Sequence, residues 1–109
     1  MRGNSILHHA AIRKIDFIRM KLSEIQKIIL KWTSNNYAAT EIIRQSVCDD
    51  LGRAISDESF STALFGLHSR RFVASYIYDH QSEGYASIIS PDEYSVDVLY
   101  WLATEKAGQ

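Results

Sequence analysis

The stretch from Thr40 to Val73 constrains this chain more than any other. Behind Thr40, Ile43, Val47 and Leu51 recur every four residues, the spacing of one buried helix stripe, and Gly52 follows where a left-handed residue would stop that helix. Ser56 then precedes Asp57 and Glu58, a capping hydroxyl followed by carboxylates at the positive end of a helix dipole. Phe60, Ala63, Leu64 and Leu67 form the next stripe, and Phe72-Val73 open a β-rich run. A helix, a tight turn, a second helix and a strand are expected in immediate succession.

The flanks extend this order. Asn4 or Ser5 can cap a helix running to about Lys21, with Leu7, Ala11, Ile15, Ile18 and Leu22 on one stripe. Ile6, Ala10, Phe17 and Met20 make a second apolar patch on that helix, more than a monomeric domain covers. Ser23 and Gln26 have capping-box spacing, and the helix they open directs Ile25, Ile28, Ile29 and Trp32 inward. Thr33 to Asn36 favour a turn, after which Thr40 is the expected cap of the next helix.

Beyond Val73, the runs 72–78 and 85–89 flank a polar, glycine-containing turn and read as an antiparallel hairpin. Ser90-Pro91-Asp92-Glu93 stacks a capping serine, a proline at the first helical position and a glutamate at the third, predicting a final helix. That helix would carry Tyr94, Val98, Trp101 and Leu102 on one side and Val96, Leu99, Tyr100 and Ala103 on another. The expected class is α+β, mainly α with a small β-hairpin. Residues 1–22 are expected to form an N-terminal helix that serves as a dimerisation extension, and residues 23–109 the domain with its C-terminal helix.

Composition narrows the possibilities. A chain of 109 residues with a single proline and no repeat suits one globular domain. No apolar run reaches membrane-spanning length, and charged residues interrupt the first twenty, so a cytoplasmic protein with no membrane partner is expected. Cys48 is the only cysteine, which excludes an internal disulfide and points to a structural thiol. The net charge of −1 conceals a division: residues 1–31 hold seven basic and two acidic side chains, residues 32–109 five basic and eleven acidic. The basic amino-terminal part is therefore a source of attraction to phosphate, or else the two regions neutralise one another at a surface or across a dimer.

From Ser23 to about Thr104 the chain resembles the winged helix-turn-helix regulators, particularly small dimeric ones of the MarR and PadR kind. Thr40-Glu41-Ile42-Ile43, Leu51-Gly52, Ile55-Ser56, Leu64 with Leu67, Phe72-Val73 and Ile88-Ile89-Ser90-Pro91 carry the resemblance through their order. It implies a winged helix-turn-helix with extra N- and C-terminal helices, acting as a transcription regulator on double-stranded DNA. The helix from Ser59 to Ser69 would enter the major groove and the hairpin would touch the neighbouring backbone. Ser59, Ser61, Thr62 and Ser69 would meet phosphates or base edges, with His68, Arg70, Arg71 and Lys27 as the cations. Phe65, exposed on a helical wheel, is placed to meet a thymine methyl or a protein. Where relatives commonly have glycine between recognition helix and wing, this chain has Arg71.

Two apolar faces on each terminal helix lead to an expected homodimer, with Leu7, Ala11, Phe17 and Ile18 meeting Val96, Leu99, Tyr100 and Ala103. An opposing signal is electrostatic. Residues 40–58 hold five acids, Glu41, Asp49, Asp50, Asp57 and Glu58, against Arg44 and Arg53, and the wing tip has Asp79 and Glu83 without a Lys or Arg. A phosphate-repelling surface favours the alternative, a winged-helix module that associates with proteins and not DNA. No catalytic constellation, metal-ligand spacing or cofactor motif is apparent, so neither an enzyme nor a cofactor is expected, and the sequence is silent on any effector.

Overall fold

The computed structural model describes residues 21–108. The expected helix before Lys21, with Leu7, Ala11, Phe17 and Ile18, lies outside them. Within them the chain is an α+β fold whose elements are α1 (Glu24–Thr33), β1 (Ala38–Ala39), α2 (Thr40–Leu51), α3 (Asp57–Ser69), β2 (Val73–Asp79), β3 (Gly84–Ile88) and β4 (Tyr100–Ala103). The three helices cover one face of a four-stranded antiparallel sheet of order β1-β4-β2-β3.

Local signals set the helix starts. Ser23 Oγ accepts from the Gln26 N–H at 3.1 Å while Gln26 Oε1 accepts from the Ser23 N–H at 3.0 Å, the reciprocal capping box at the head of α1. Ser56 Oγ accepts from the Ser59 N–H at 3.0 Å and caps α3. Thr40 departs from expectation. Ala39 occupies the cap position without a side-chain bond, and Thr40 is the first helical residue, buried. Its hydroxyl donates to the Val96 carbonyl at 2.7 Å and accepts from the Trp101 indole N–H at 2.8 Å, so it ties α2 to the end of the chain.

The α1 stripe is displaced by one position. Ile29 is buried and Ile25 and Ile28 pack against the core, but Trp32 is exposed, its indole N–H donating to Asp50 Oδ2 at 2.9 Å. Thr33 takes the inward place and returns its hydroxyl to the Ile29 carbonyl at 2.9 Å. A tryptophan needs a partner for its N–H, and the Asp50 carboxylate at the surface supplies one. Ile43 and Val47 of α2, and Phe60, Ala63, Leu64 and Leu67 of α3, complete the helical side of the core as expected.

Both long helices end in the same hydrogen-bond pattern. After α2, Arg53 N–H reaches the Cys48 carbonyl and Gly52 N–H the Asp49 carbonyl, with Gly52 at φ 71°. After α3, Phe72 N–H reaches the Leu67 carbonyl and Arg71 N–H the His68 carbonyl, and here the left-handed residue is Arg71, at φ 65°. These are Schellman ends, in which glycine avoids the clash of a Cβ with backbone. Gly52→Ala should therefore lower stability by about 1 kcal/mol, although nothing crowds the site, measurable as a shift in urea midpoint.

The hairpin forms as predicted, pairing Ser75 with Ile88 through Asp79 with Gly84. The final helix does not. Ser90 makes no side-chain cap, Pro91–Glu93 and Val96–Val98 are single 3-10 turns, and Tyr100–Ala103 is a strand inserted between β1 and β2. Trp101 lies opposite both Ala38 and Ser75. The residues assigned to two sides of a helix are thus regrouped: Trp101 and Ala103 share one face of an interior strand and Tyr100 and Leu102 the other, with hydrogen-bonded neighbours on both edges. Leu99 and Trp101 are fully buried within the subunit; Val96, Tyr100 and Ala103 are half-buried. Leu99 therefore has no surface to present to a second copy, and the reason for placing an interface on a C-terminal helix is gone.

Candidate nucleic-acid interface

Apart from Lys27, the residues singled out from sequence as DNA contacts lie on α3 and its C-terminal end, beside the hairpin. Ser59, Thr62 and Ser69 are exposed along α3, Ser61 is half-buried, and Arg70 and Arg71 are exposed at its end. Lys27 is exposed on α1. Arg53, not anticipated as a contact, is exposed in the turn between α2 and α3. None of Lys27, Arg53, Arg70 and Arg71 has an ion pair among the described residues.

Two members leave the expected face. Phe65 is half-buried, its ring set edge-on to Trp101 at 5.6 Å. His68 meets the same indole at 5.9 Å, with Nε2 3.4 Å from the Ser75 hydroxyl. Both turn toward β4, because the buried indole provides an aromatic wall that a wheel with a C-terminal helix could not foresee. Gly66 is a point of close approach: a Cβ there would lie 3.0 Å from Gln26 Nε2, which itself donates to the Ala63 carbonyl at 3.2 Å and links α1 to α3.

The acids of the helix-turn-helix are largely engaged. Arg44 pairs with Glu41 at 3.4 Å and also with Asp57. Asp50 accepts from Trp32 and from Lys31 Nζ, and these two hydrogen bonds hold its carboxyl below the usual value. Asp49 accepts from Gln45 at 2.9 Å. Of the five acids only Glu58 has no partner among the described residues. At the hairpin tip, Asp79 accepts from the Ser82 hydroxyl and the Gln81 N–H, each at 3.0 Å, which lowers its pKa. That carboxylate organises the turn; Glu83, at φ 55°, projects into solvent beside it.

His68, Ser69, Arg71, Ser75, Ile88 and Thr104 contribute to an open cleft of about 390 Å³ where α3 meets the hairpin. Burial lowers the His68 pKa, partly offset by the Asp92 carboxylate. The unfolded imidazole accepts a proton at the ordinary value, whereas the folded one resists it. Stability is therefore held at neutral pH and lost as pH falls through the ordinary imidazole value. The melting temperature should drop between about pH 7 and pH 5, and less so in His68→Gln.

Comparison with family models, curated proteins and solved structures returns no match. No helix among the described residues is long and apolar enough to cross a membrane.

Proposed function

We propose that this chain is a winged helix-turn-helix that binds double-stranded DNA as a transcription regulator, with α3 as its recognition helix and the β2–β3 hairpin as its wing. The order α1, β1, α2, turn, α3, hairpin supports the reading, and β4 is an addition that stiffens the sheet behind α3. Ser59, Thr62 and Ser69 offer hydroxyls to base edges or phosphates, and Arg53, Arg70 and Arg71 flank them as uncommitted cations.

The observation that carries the proposal is Arg71. An arginine in left-handed backbone costs about 1 kcal/mol or more relative to glycine, and the equivalent position after α2 is glycine. Neither an ion pair nor burial compensates for it among the described residues. Local strain retained where glycine would relieve it indicates that the guanidinium is used, here on a phosphate beside the groove.

Arg71→Gly should consequently move two measurements in opposite directions. Chemical denaturation should show a gain of about 1 kcal/mol, while fluorescence anisotropy with a duplex should show weaker binding to every sequence, since a phosphate contact positions without specifying. Equal DNA affinity in the two proteins would remove the argument. The protein-association reading draws on the hairpin tip, which exposes Glu83 and no cation; it predicts that Arg71→Gly changes stability alone.

A further inference from the structure

The sheet face turned away from the helices is a tyrosine surface. Tyr78 lies opposite Tyr85 and Tyr76 opposite Tyr100, so these four project on the side opposite Ser75 and Trp101, and Tyr37 joins them from just before β1. Tyr37 stacks on Tyr85 at 4.0 Å and meets Tyr76 edge-on at 4.8 Å; Tyr85 in turn meets Tyr78 at 5.3 Å and Tyr100 at 5.0 Å. Tyr37 and Tyr85 each remain 39% exposed at the centre of this cluster. Its edge opens into a cleft of about 490 Å³ walled by Tyr78, Tyr94, Val98 and Tyr100, with Asp97 and His80 at its polar side.

Charge restricts what such a face accepts. Between Phe72 and Glu105 the chain has six acidic residues and no Lys or Arg. A stacking platform for nucleic acid needs cations to follow the backbone, and the stretch that forms most of this face supplies none, so phosphate is disfavoured. An apolar segment bearing Lys and Arg fits instead: its aliphatic side chains cover the rings, and its cations meet both carboxylates and π-faces.

Residues 1–20 of this chain have that chemistry. They carry Arg2, Arg13, Lys14 and Arg19 against Asp16, with Ile6, Phe17 and Met20 outside the stripe that runs through Ile15 and Ile18 to Leu22. Leu22, the last member of the stripe, is seated in the core, so the point to which residues 1–20 are tethered is fixed. Twenty residues reach about 30 Å even at helical rise. The tether also gives the segment an effective concentration of about the millimolar range.

We propose that residues 1–20 dock on the tyrosine face of their own sheet, with Arg13 and Lys14 directed to the acidic rim around Asp79, Glu83 and Asp97. The inference does not rest on DNA binding: it concerns the sheet face opposite α3, although its rim at Asp79 and Glu83 is also the tip of the proposed wing. The test uses the full chain with a photo-crosslinking benzophenone amino acid in place of Tyr85, and separately in place of Tyr37 should the first variant fail to fold. After irradiation at low micromolar concentration, peptide mass spectrometry should find crosslinks to residues 1–20 of the same molecule. The double substitution Arg13→Glu, Lys14→Glu should reduce them several-fold while circular dichroism stays unchanged. Crosslinks to a second copy would replace the proposal with a dimer interface, and crosslinks to other segments, or none from a folded protein, would overturn it.

Discussion

Trp101→Ala should destabilise the protein by about 3–5 kcal/mol, enough to unfold a marginal domain of this size. The indole is fully buried in the interior strand, meets Phe65 and His68 edge-on, and donates to the Thr40 hydroxyl at 2.8 Å. Truncation leaves a cavity among α3, β2 and β4 and also orphans one bond of a buried threonine. Trp101→Phe separates the two contributions: it keeps most of the ring volume and loses the N–H, so it should cost less than the alanine substitution. Urea denaturation of the three proteins checks the order. If Trp101 lay instead on one side of a terminal surface helix, its loss would be milder and Thr40→Val would be indifferent to it. In the observed fold a double-mutant cycle between Thr40 and Trp101 should show coupling of about 0.5 kcal/mol or more.

That tryptophan also marks where the sequence was legible and where it was not. Ser23 with Gln26, Ser56 and Gly52 were readable because each acts within one turn of helix, and the structure places each in the role its chemistry predicts. The hairpin was readable for a similar reason, since its two runs adjoin one turn. β4 depends on partners far away in the chain, Ala38-Ala39 and Val73 to Tyr76, which no local pattern reports. Its flanking Ser90-Pro91-Asp92-Glu93 mimics a helix start and delivers only a single 3-10 turn. Thr40 was misread likewise: a hydroxyl at a helix start is ordinarily a cap, but here the indole and the Val96 carbonyl compete for it and win. Within the candidate site, the exposed Thr62, Ser69 and Arg70 followed from the helical wheel, which also turned the half-buried Ser61 outward, whereas the inward turn of Phe65 and His68 required knowledge of β4.

The second large effect concerns the cations flanking α3. Replacing Arg53, Arg70 and Arg71 together by alanine should weaken duplex binding at every sequence and reduce the slope of log K against log salt by about 3, one for each phosphate contact removed. None of the three has an ion pair among the described residues, so the loss is not the disruption of an internal network. Thr62→Ala should behave differently, altering the preference among duplexes more than the overall affinity, because its hydroxyl faces outward from the middle of the helix. Arg44 is a useful contrast: it is occupied by Glu41 and Asp57, and its removal should register in stability before binding.

The most direct measurement is a salt titration of the unaltered protein against labelled duplex DNA, followed by anisotropy from about 50 mM to 200 mM salt. A linear fall of log K with log salt is expected, with a slope that becomes shallower in the triple arginine variant. A protein shown by circular dichroism to be folded, yet giving no binding to random or genomic duplex at the lowest salt, would contradict the assignment of α3 as a DNA-reading helix.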